Sequence, residues 1–176
     1  MSTPAIGYRD RAELPRLGVQ SPRGPILLDT NVFIHALAGR GPPELKALLA
    51  NLPLSFVSGP TVAELSWPSG RLDPAHPDTA RVLATLQATL ARVDPAKILI
   101  PTAAQWIAAG TLAGRAARAV AARAKSIRTA SDRIELINDA VTAAVALSAG
   151  TTLVTQDGDF DLFLQLEPTL DVLFYD

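Results

Sequence analysis

Four acidic residues stand at positions suited to shared chemistry: Asp29, Glu64, Asp139 and Asp157, with Asp159 two places beyond the last. Asp29 follows the apolar run Ile26-Leu27-Leu28, and Asp157 follows Leu153-Val154-Thr155. Both runs read as strands, and in a parallel α/β sheet the groups just past the carboxyl ends of the strands open onto one crevice. The two carboxylates are therefore expected at the same sheet edge. Glu64 and Asp139 fall on helices that follow or precede those strands. Asp139 lies in Leu136-Ile137-Asn138-Asp139-Ala140-Val141, an acid within an otherwise apolar helix, where an unpaired buried charge is costly and calls for a cation. Four converging acids would repel one another, and either their pKa values rise or they capture a hard divalent ion such as Mg²⁺ or Mn²⁺. Such an ion acidifies a bound water and binds phosphate oxygens, so metal-dependent phosphodiester hydrolysis is the chemistry that suits this set.

Most of these acids also have a local structural role open to them. Asp29 and Asn31 at the end of a strand are good helix N-cap chemistry. Thr61-Val62-Ala63-Glu64 has the spacing of a capping box, and Gln156-Asp157-Gly158-Asp159 has the composition of a turn. Asp139 has no such local explanation. Glu135 would share the face of Asp139, but Asp132-Arg133-Ile134-Glu135 has capping-box spacing, which accounts for Glu135 without metal. His35, four residues after Asn31, is read as a structural histidine, His76 as a loop residue, and Trp67 and Trp106 as packing residues.

The elements that must position the acids follow from the apolar pattern. Residues 1–24 are rich in Pro, Gly and charge with weak periodicity, and read as an N-terminal extension, either loose or wrapped over the body. The main domain spans 25–176. Strands are expected at Pro25–Leu28, Leu54–Val57, Ile98–Ile100, Thr151–Thr155 and Leu170–Phe174, alternating with helices, which implies a parallel α/β sheet. Trp67–Asp78 reads as a loop, after which Asp78 caps a helix carrying Val82, Leu83, Leu86, Leu90 and Val93 on one face. Two Ala-rich helices, Thr102–Ala109 and Leu112–Lys125, are expected with Gly110 and Gly114 punctuating them. Asp132–Ala149 is the next helix.

Composition narrows the chemistry further. The 176 residues, 48% hydrophobic and 19% charged, are those of an ordinary globular domain, and the length favours one domain. Cys is absent, which removes disulfides, thiolate metal sites and cysteine nucleophiles, and two histidines are too few for a multi-histidine centre. Any metal must be held mainly by carboxylates. No signal-peptide stretch and no window of about 18 uninterrupted apolar residues occurs, so the chain reads as cytoplasmic with no membrane association. Lys and Arg number 16 against 17 Asp and Glu, a net charge of −1. Yet Thr111–Arg133 holds six basic residues against Asp132 alone, a local +5 on an acidic body. Within it Arg115, Arg118, Arg123, Lys125 and Arg128 suit an RNA phosphate track, or equally a solvated helix face.

The segments Leu28-Asp29-Thr30-Asn31, Ala63-Glu64-Leu65, Asn138-Asp139-Ala140 and Val154-Thr155-Gln156-Asp157-Gly158-Asp159-Phe160, in this order, resemble the PIN-domain family of nucleases, most of all the VapC-type toxins of type II toxin–antitoxin systems. The likeness covers about Pro25 to Phe174. It implies a three-layer α/β fold, a mainly parallel sheet flanked by helices, and a Mg²⁺ or Mn²⁺ site made by Asp29, Glu64, Asp139 and Asp157. By the same resemblance Asp159 assists or substitutes for the last acid, Thr155 orients the site, and Asn31 is a motif residue beside the first acid. The implied activity is an endoribonuclease that hydrolyses RNA with metal-activated water, leaving a 3′-hydroxyl and a 5′-phosphate. The toxin branch further implies a homodimer and a small antitoxin that plugs the acidic pocket with a basic side chain. The other readings are a catalytically silent PIN-fold module that binds protein or RNA, and a non-toxin PIN nuclease of RNA processing or DNA repair. The leader and the Pro-rich stretch after Trp67 depart from a minimal toxin.

Overall fold

The computed structural model describes residues 6–51, 54–121 and 129–176. Five short strands, β1 (Ile26–Leu28), β2 (Ser55–Ser58), β3 (Ile98–Leu99), β4 (Thr152–Thr155) and β5 (Asp171–Phe174), form one sheet in the order β3-β2-β1-β4-β5. Every pairing is parallel, with Leu28 opposite Val57 on one side and Val154 on the other. The helices that connect and flank them are α1 (Thr30–Leu37), α2 (Pro43–Ala50), α3 (Gly59–Ser66), α4 (Pro68–Arg71), α5 (Thr79–Leu90), α6 (Ala103–Ala121), α7 (Ala130–Ala149) and α8 (Asp159–Leu166). Among the described residues no helix is long and apolar enough to cross a membrane.

Strand alternation explains the three layers. Leu27, Leu153, Val172 and Phe174 point into one core, which α6, α7 and α8 close with Ala116, Val141, Phe160 and Phe163. Their strand neighbours Ile26, Leu28, Val154, Leu173 and Tyr175 point to the other face, onto Val32 and Leu45 from α1 and α2. Side chains of successive strand residues face opposite ways, so near-continuous apolar runs are what a sheet covered on both faces requires.

The described part of the leader is wrapped over the body. Leu14 and Leu17 are buried, one in each core. Residues Pro15 to Leu17 run beside the outer edge of β5: Phe174 N–H donates to the Pro15 carbonyl at 2.8 Å, and Leu17 N–H donates to the Phe174 carbonyl at 2.8 Å. A sheet edge that would otherwise expose unpaired backbone groups is thereby covered.

Three local expectations are corrected. The break expected near Gly110 does not occur, and α6 runs unbroken through Gly110 and Gly114. Its buried residues Ala109, Leu112, Ala113, Ala116 and Val120 recur at helical spacing against α7 and α8, and this packing outweighs the modest helix penalty of two glycines. The stretch after Trp67 is not loop throughout, since Pro68 starts the one-turn α4. Trp67 and Trp106 are not packing residues, being 67% and 47% exposed.

Candidate active site

The chain passes from β1 to β2 and β3 on one side of the sheet, then returns to lay β4 on the other side of β1. At such a reversal the loops leaving neighbouring strands diverge and leave a crevice beyond their carboxyl ends. Asp29 leaves β1 at that point, and Asp157 follows β4. Asp29, Thr30, Asn31, Glu64, Glu135, Asp139, Asp157 and Asp159 together line a cavity of about 260 Å³. All five acids singled out from the sequence meet there, with one more, and no Lys or Arg is among the lining residues.

Asp29 and Glu64 are held by contacts other than the local roles open to them, whereas Asp157 keeps its turn. Asp29 occupies the N-cap position of α1, but its side chain makes no cap bond. Its Oδ2 accepts the Thr155 hydroxyl at 2.7 Å and the Asn31 side-chain amide at 3.3 Å. Thr155, fully buried at the end of β4, also accepts the Asp157 N–H at 2.9 Å, so one hydroxyl links the two strand ends. Glu64 forms no capping box with Thr61: the N-cap of α3 is Ser58, whose hydroxyl accepts the Thr61 N–H at 3.2 Å. Glu64 instead takes the Thr30 hydroxyl on one oxygen and the Asn138 amide on the other at 3.4 Å. Buried hydroxyls of Ser58, Thr61 and Thr142 lie within 3.1 Å of one another in series, fastening α3 to α7 one turn beyond Asp139. Asp157 Oδ1 accepts the Asp159 N–H at 2.8 Å, which shapes the turn into α8.

Glu135 is a further correction. The capping box of α7 joins Thr129 to Asp132, so Asp132–Glu135 is not one, and Glu135 lines the acidic cavity, one turn before Asp139. Thr30, Asn138 and Glu135 were within reach of sequence reading, being neighbours or helical-face partners of the acids. Tyr8 was not: its hydroxyl donates to Asp159 Oδ1 at 2.5 Å across 151 residues of sequence. His35 does not line the cavity, and its ring packs edge-on against Tyr175 with centroids 5.6 Å apart.

The electrostatics are those of crowded carboxylates. Burial, with the charges of Asp157, Asp29, Asp159 and Glu64 added, pushes the Asp139 carboxyl up to about 9. Burial raises Asp29 to about 6, against the opposing Thr155 hydroxyl and Thr30 backbone bonds. Asp157 is raised chiefly by burial, with the Asp159 N–H working the other way. Tyr8 is raised by burial and by its bond to Asp159, and stays a hydrogen-bond donor at neutral pH. Hard oxygen donors, with no Lys or Arg beside them among the described lining residues, fit Mg²⁺ or Mn²⁺ in kind, since a divalent cation would offset both the burial and the repulsion that lift these pKa values. Among the described residues, however, no three acids or histidines are grouped closely enough to hold an ion ready-made.

The basic arm is divided. Arg115 donates to Glu167 Oε1 at 2.5 Å and to the Leu166 carbonyl at 3.2 Å, tying α6 to the end of α8. Arg118 is exposed on α6. Arg123, Lys125 and Arg128 lie outside the described residues.

The fold has solved counterparts. VapBC2 from Rickettsia felis, bound to a DNA fragment from its promoter, superposes with a TM-score of 0.55 at 21% identity over 86% of this chain and 99% of that one. FitAcB from Neisseria gonorrhoeae gives 0.56 at 24% identity, over 84% and 96%. VapBC-5 from Mycobacterium tuberculosis, a member of the VapBC family of toxin–antitoxin systems, gives 0.52 at 26%, over 86% and 98%. No curated protein sequence is detectably similar to the chain. The sequence pattern of the PIN domain matches residues 26–163, most of the chain and the whole span from β1 through the acid-bearing turn into α8. With its strand order, its acidic cavity at the sheet reversal and that match, the chain belongs to the PIN domain family of nucleases.

Proposed function

We propose that the chain is a metal-dependent endoribonuclease and the toxin of a toxin–antitoxin pair. The observation that carries this reading is the cavity itself: carboxylates from the end of β1, α3, α7 and the β4–α8 turn share it, those of Asp29, Asp139 and Asp157 are raised in pKa by burial and by neighbouring charges, and no Lys or Arg is among its lining residues in the described part of the chain. Asp29, Glu64, Asp139 and Asp157 are the residues that would hold Mg²⁺ or Mn²⁺, with Asp159 as a further oxygen donor. When bound, such an ion supplies positive charge to the phosphate and a more acidic water. Thr155 and Asn31 hold Asp29 in one orientation, and Thr30 and Asn138 do the same for Glu64. Preorganised carboxylates of this kind lose little freedom when the ion and the scissile phosphate arrive.

The partner assignments rest on the same acidity. A small antitoxin placing a Lys or Arg in the cavity would gain a charge-assisted bond to carboxylates that now repel each other. VapBC-5 from Mycobacterium tuberculosis, one of the structural neighbours named above, is a member of the VapBC family of toxin–antitoxin systems, which supports a partner of that class. The active form proposed is a cytoplasmic homodimer, and the Arg118-bearing arm, with Arg115, Arg123, Lys125 and Arg128, is proposed to follow the RNA backbone.

Purified protein is to be incubated with a mixed pool of structured RNAs and Mn²⁺ or Mg²⁺, beside EDTA and an Asp139→Asn control. Cutting that requires metal and disappears in both controls is the expected result. Folded, partner-free protein that cuts no RNA with either ion would replace this reading with a binding module. Growth arrest on expression, lost with Asp29→Asn, separates a toxin from a nuclease of RNA processing.

A further inference from the structure

Among the described residues the leader reaches the acidic cavity through Tyr8, and its neighbours in the chain hold that contact in place. Gly7 and the Gln165 side chain exchange bonds: Gln165 Nε2 donates to the Gly7 carbonyl at 2.8 Å, and Gly7 N–H donates to Oε1 at 3.4 Å. Arg9 grips Asp161 with its backbone N–H at 2.9 Å and its Nε at 2.8 Å, and Asp161 is 1% exposed. Tyr8 is thus anchored through both neighbours to α8, the helix whose first residue is Asp159. Its hydroxyl reaches Asp159 at the cavity lining, while the residue remains 43% exposed. Three residues on, Arg11 donates to the Gln156 carbonyl at 3.1 Å, next to Asp157, and to the Tyr175 carbonyl at 3.4 Å, and its guanidinium, more than half exposed, has only the equally exposed Asp176 carboxylate at 3.8 Å as an ion partner among the described residues, a loose surface pair that a phosphate can displace.

We infer that residues 7–11 form a substrate-binding strap, in which Tyr8 stacks on a base of single-stranded RNA and Arg11 meets a phosphate as the strand enters the acidic cavity. The inference rests on the ribonuclease reading above and adds residues that lie before the PIN-matched span. The carboxylates that line the cavity repel a polyanion wherever the ion does not offset them, so a nucleotide gains from a holding contact beside the cavity that brings no negative charge. An aromatic face supplies one for any base, and an exposed guanidinium beside it supplies the charge partner for the backbone. Because both anchors of Tyr8 are made without substrate, its position needs no ordering when RNA binds. Tyr8 and Arg11 are in this reading positioning residues, acting on the strand and not on the reacting water.

The test is binding of a labelled single-stranded RNA by fluorescence anisotropy, in Mg²⁺ and in an Asp139→Asn background that prevents cutting. Tyr8→Ala is expected to weaken binding about ten-fold, with Tyr8→Phe within about two-fold and Tyr8→Trp at least as tight, in line with the worth of one base stack. Arg11→Gln should lower the slope of log Kd against log salt by about 0.7, one phosphate contact on a single strand. In the cleaving protein the Tyr8→Ala loss should fall on KM and not on kcat. Unchanged binding by Tyr8→Ala overturns the strap. Equal losses in Tyr8→Phe and Tyr8→Ala also overturn it, because they would make the hydroxyl bond to Asp159, and not the ring, the active feature. Failure of the unsubstituted chain to bind or cut any RNA is a different result: it removes the ribonuclease reading and the strap together.

Discussion

Thr155 shows how a single hydroxyl can govern a site. It donates to Asp29 and accepts the Asp157 N–H, so it orders the ends of both central strands at once. Thr155→Val keeps the shape and removes both bonds, leaving a buried carboxylate and an N–H short of partners. Loss of about 2 kcal/mol in a urea unfolding experiment is expected, with a further upward move of the Asp29 pKa in an NMR titration, because the hydroxyl is a force that lowers it. Asp29, Asp139 and Asp157 were legible from their types and flanks, since an acid after an apolar strand or inside an apolar helix is conspicuous. Glu64 was ambiguous, and its spacing from Thr61 pointed to a cap that Ser58 in fact supplies. Glu135 was misread for the same reason: i to i+3 spacing is shared by capping boxes and by one face of a helix, and only the observed N-cap, Thr129, separates the two.

At the scale of elements, α6 carries the plainest prediction. Gly110 and Gly114 sit inside a continuous helix, are exposed, and leave open space where a Cβ would be. Gly110→Ala and Gly114→Ala should each stabilise the protein by about 0.5–1 kcal/mol, because alanine keeps helical geometry at a smaller entropy cost; a calorimetric melt that falls would show that the helix is interrupted in solution. The leader gives the opposite case. Arg9 neutralises the almost fully buried Asp161, so Arg9→Ala should destabilise by about 3 kcal/mol, a loss that Asp161→Asn on the same background should partly restore. The strands were legible as short apolar runs and α7 as a long periodic stretch. The leader was not, because its anchors, Tyr8, Arg9 and Arg16, meet α8 and β5 some 150 residues away and leave no periodic mark.

For the whole molecule, the crowded acids predict an unusual pH profile. An acid whose folded pKa is raised binds its proton more tightly in the fold than in the unfolded chain, so its ionisation costs stability as pH rises. Metal-free protein should therefore lose stability from about pH 4 upward, through about 6 for Asp29 and on towards about 9 for Asp139. Its melting temperature should fall between pH 5 and pH 8, Mg²⁺ or Mn²⁺ should reverse most of that fall, and Asp139→Asn should flatten it. A melting temperature that rises with pH without metal would mean that the carboxylates do not share one buried site. The type of each strand and most helices, the parallel α/β sheet that their alternation implies and the order of the acids were determined by the sequence alone, because alternation, apolar periodicity and helix-breaking residues are local quantities read within a few neighbours. The shared cavity, the inclusion of Glu135, the hydroxyl and amide partners of each carboxylate and the arrival of Tyr8 beside Asp159 were decided only by the tertiary structure. Those depend on which strand ends lie side by side and which distant segment covers the sheet edge, and chain separation of that length carries no local signal.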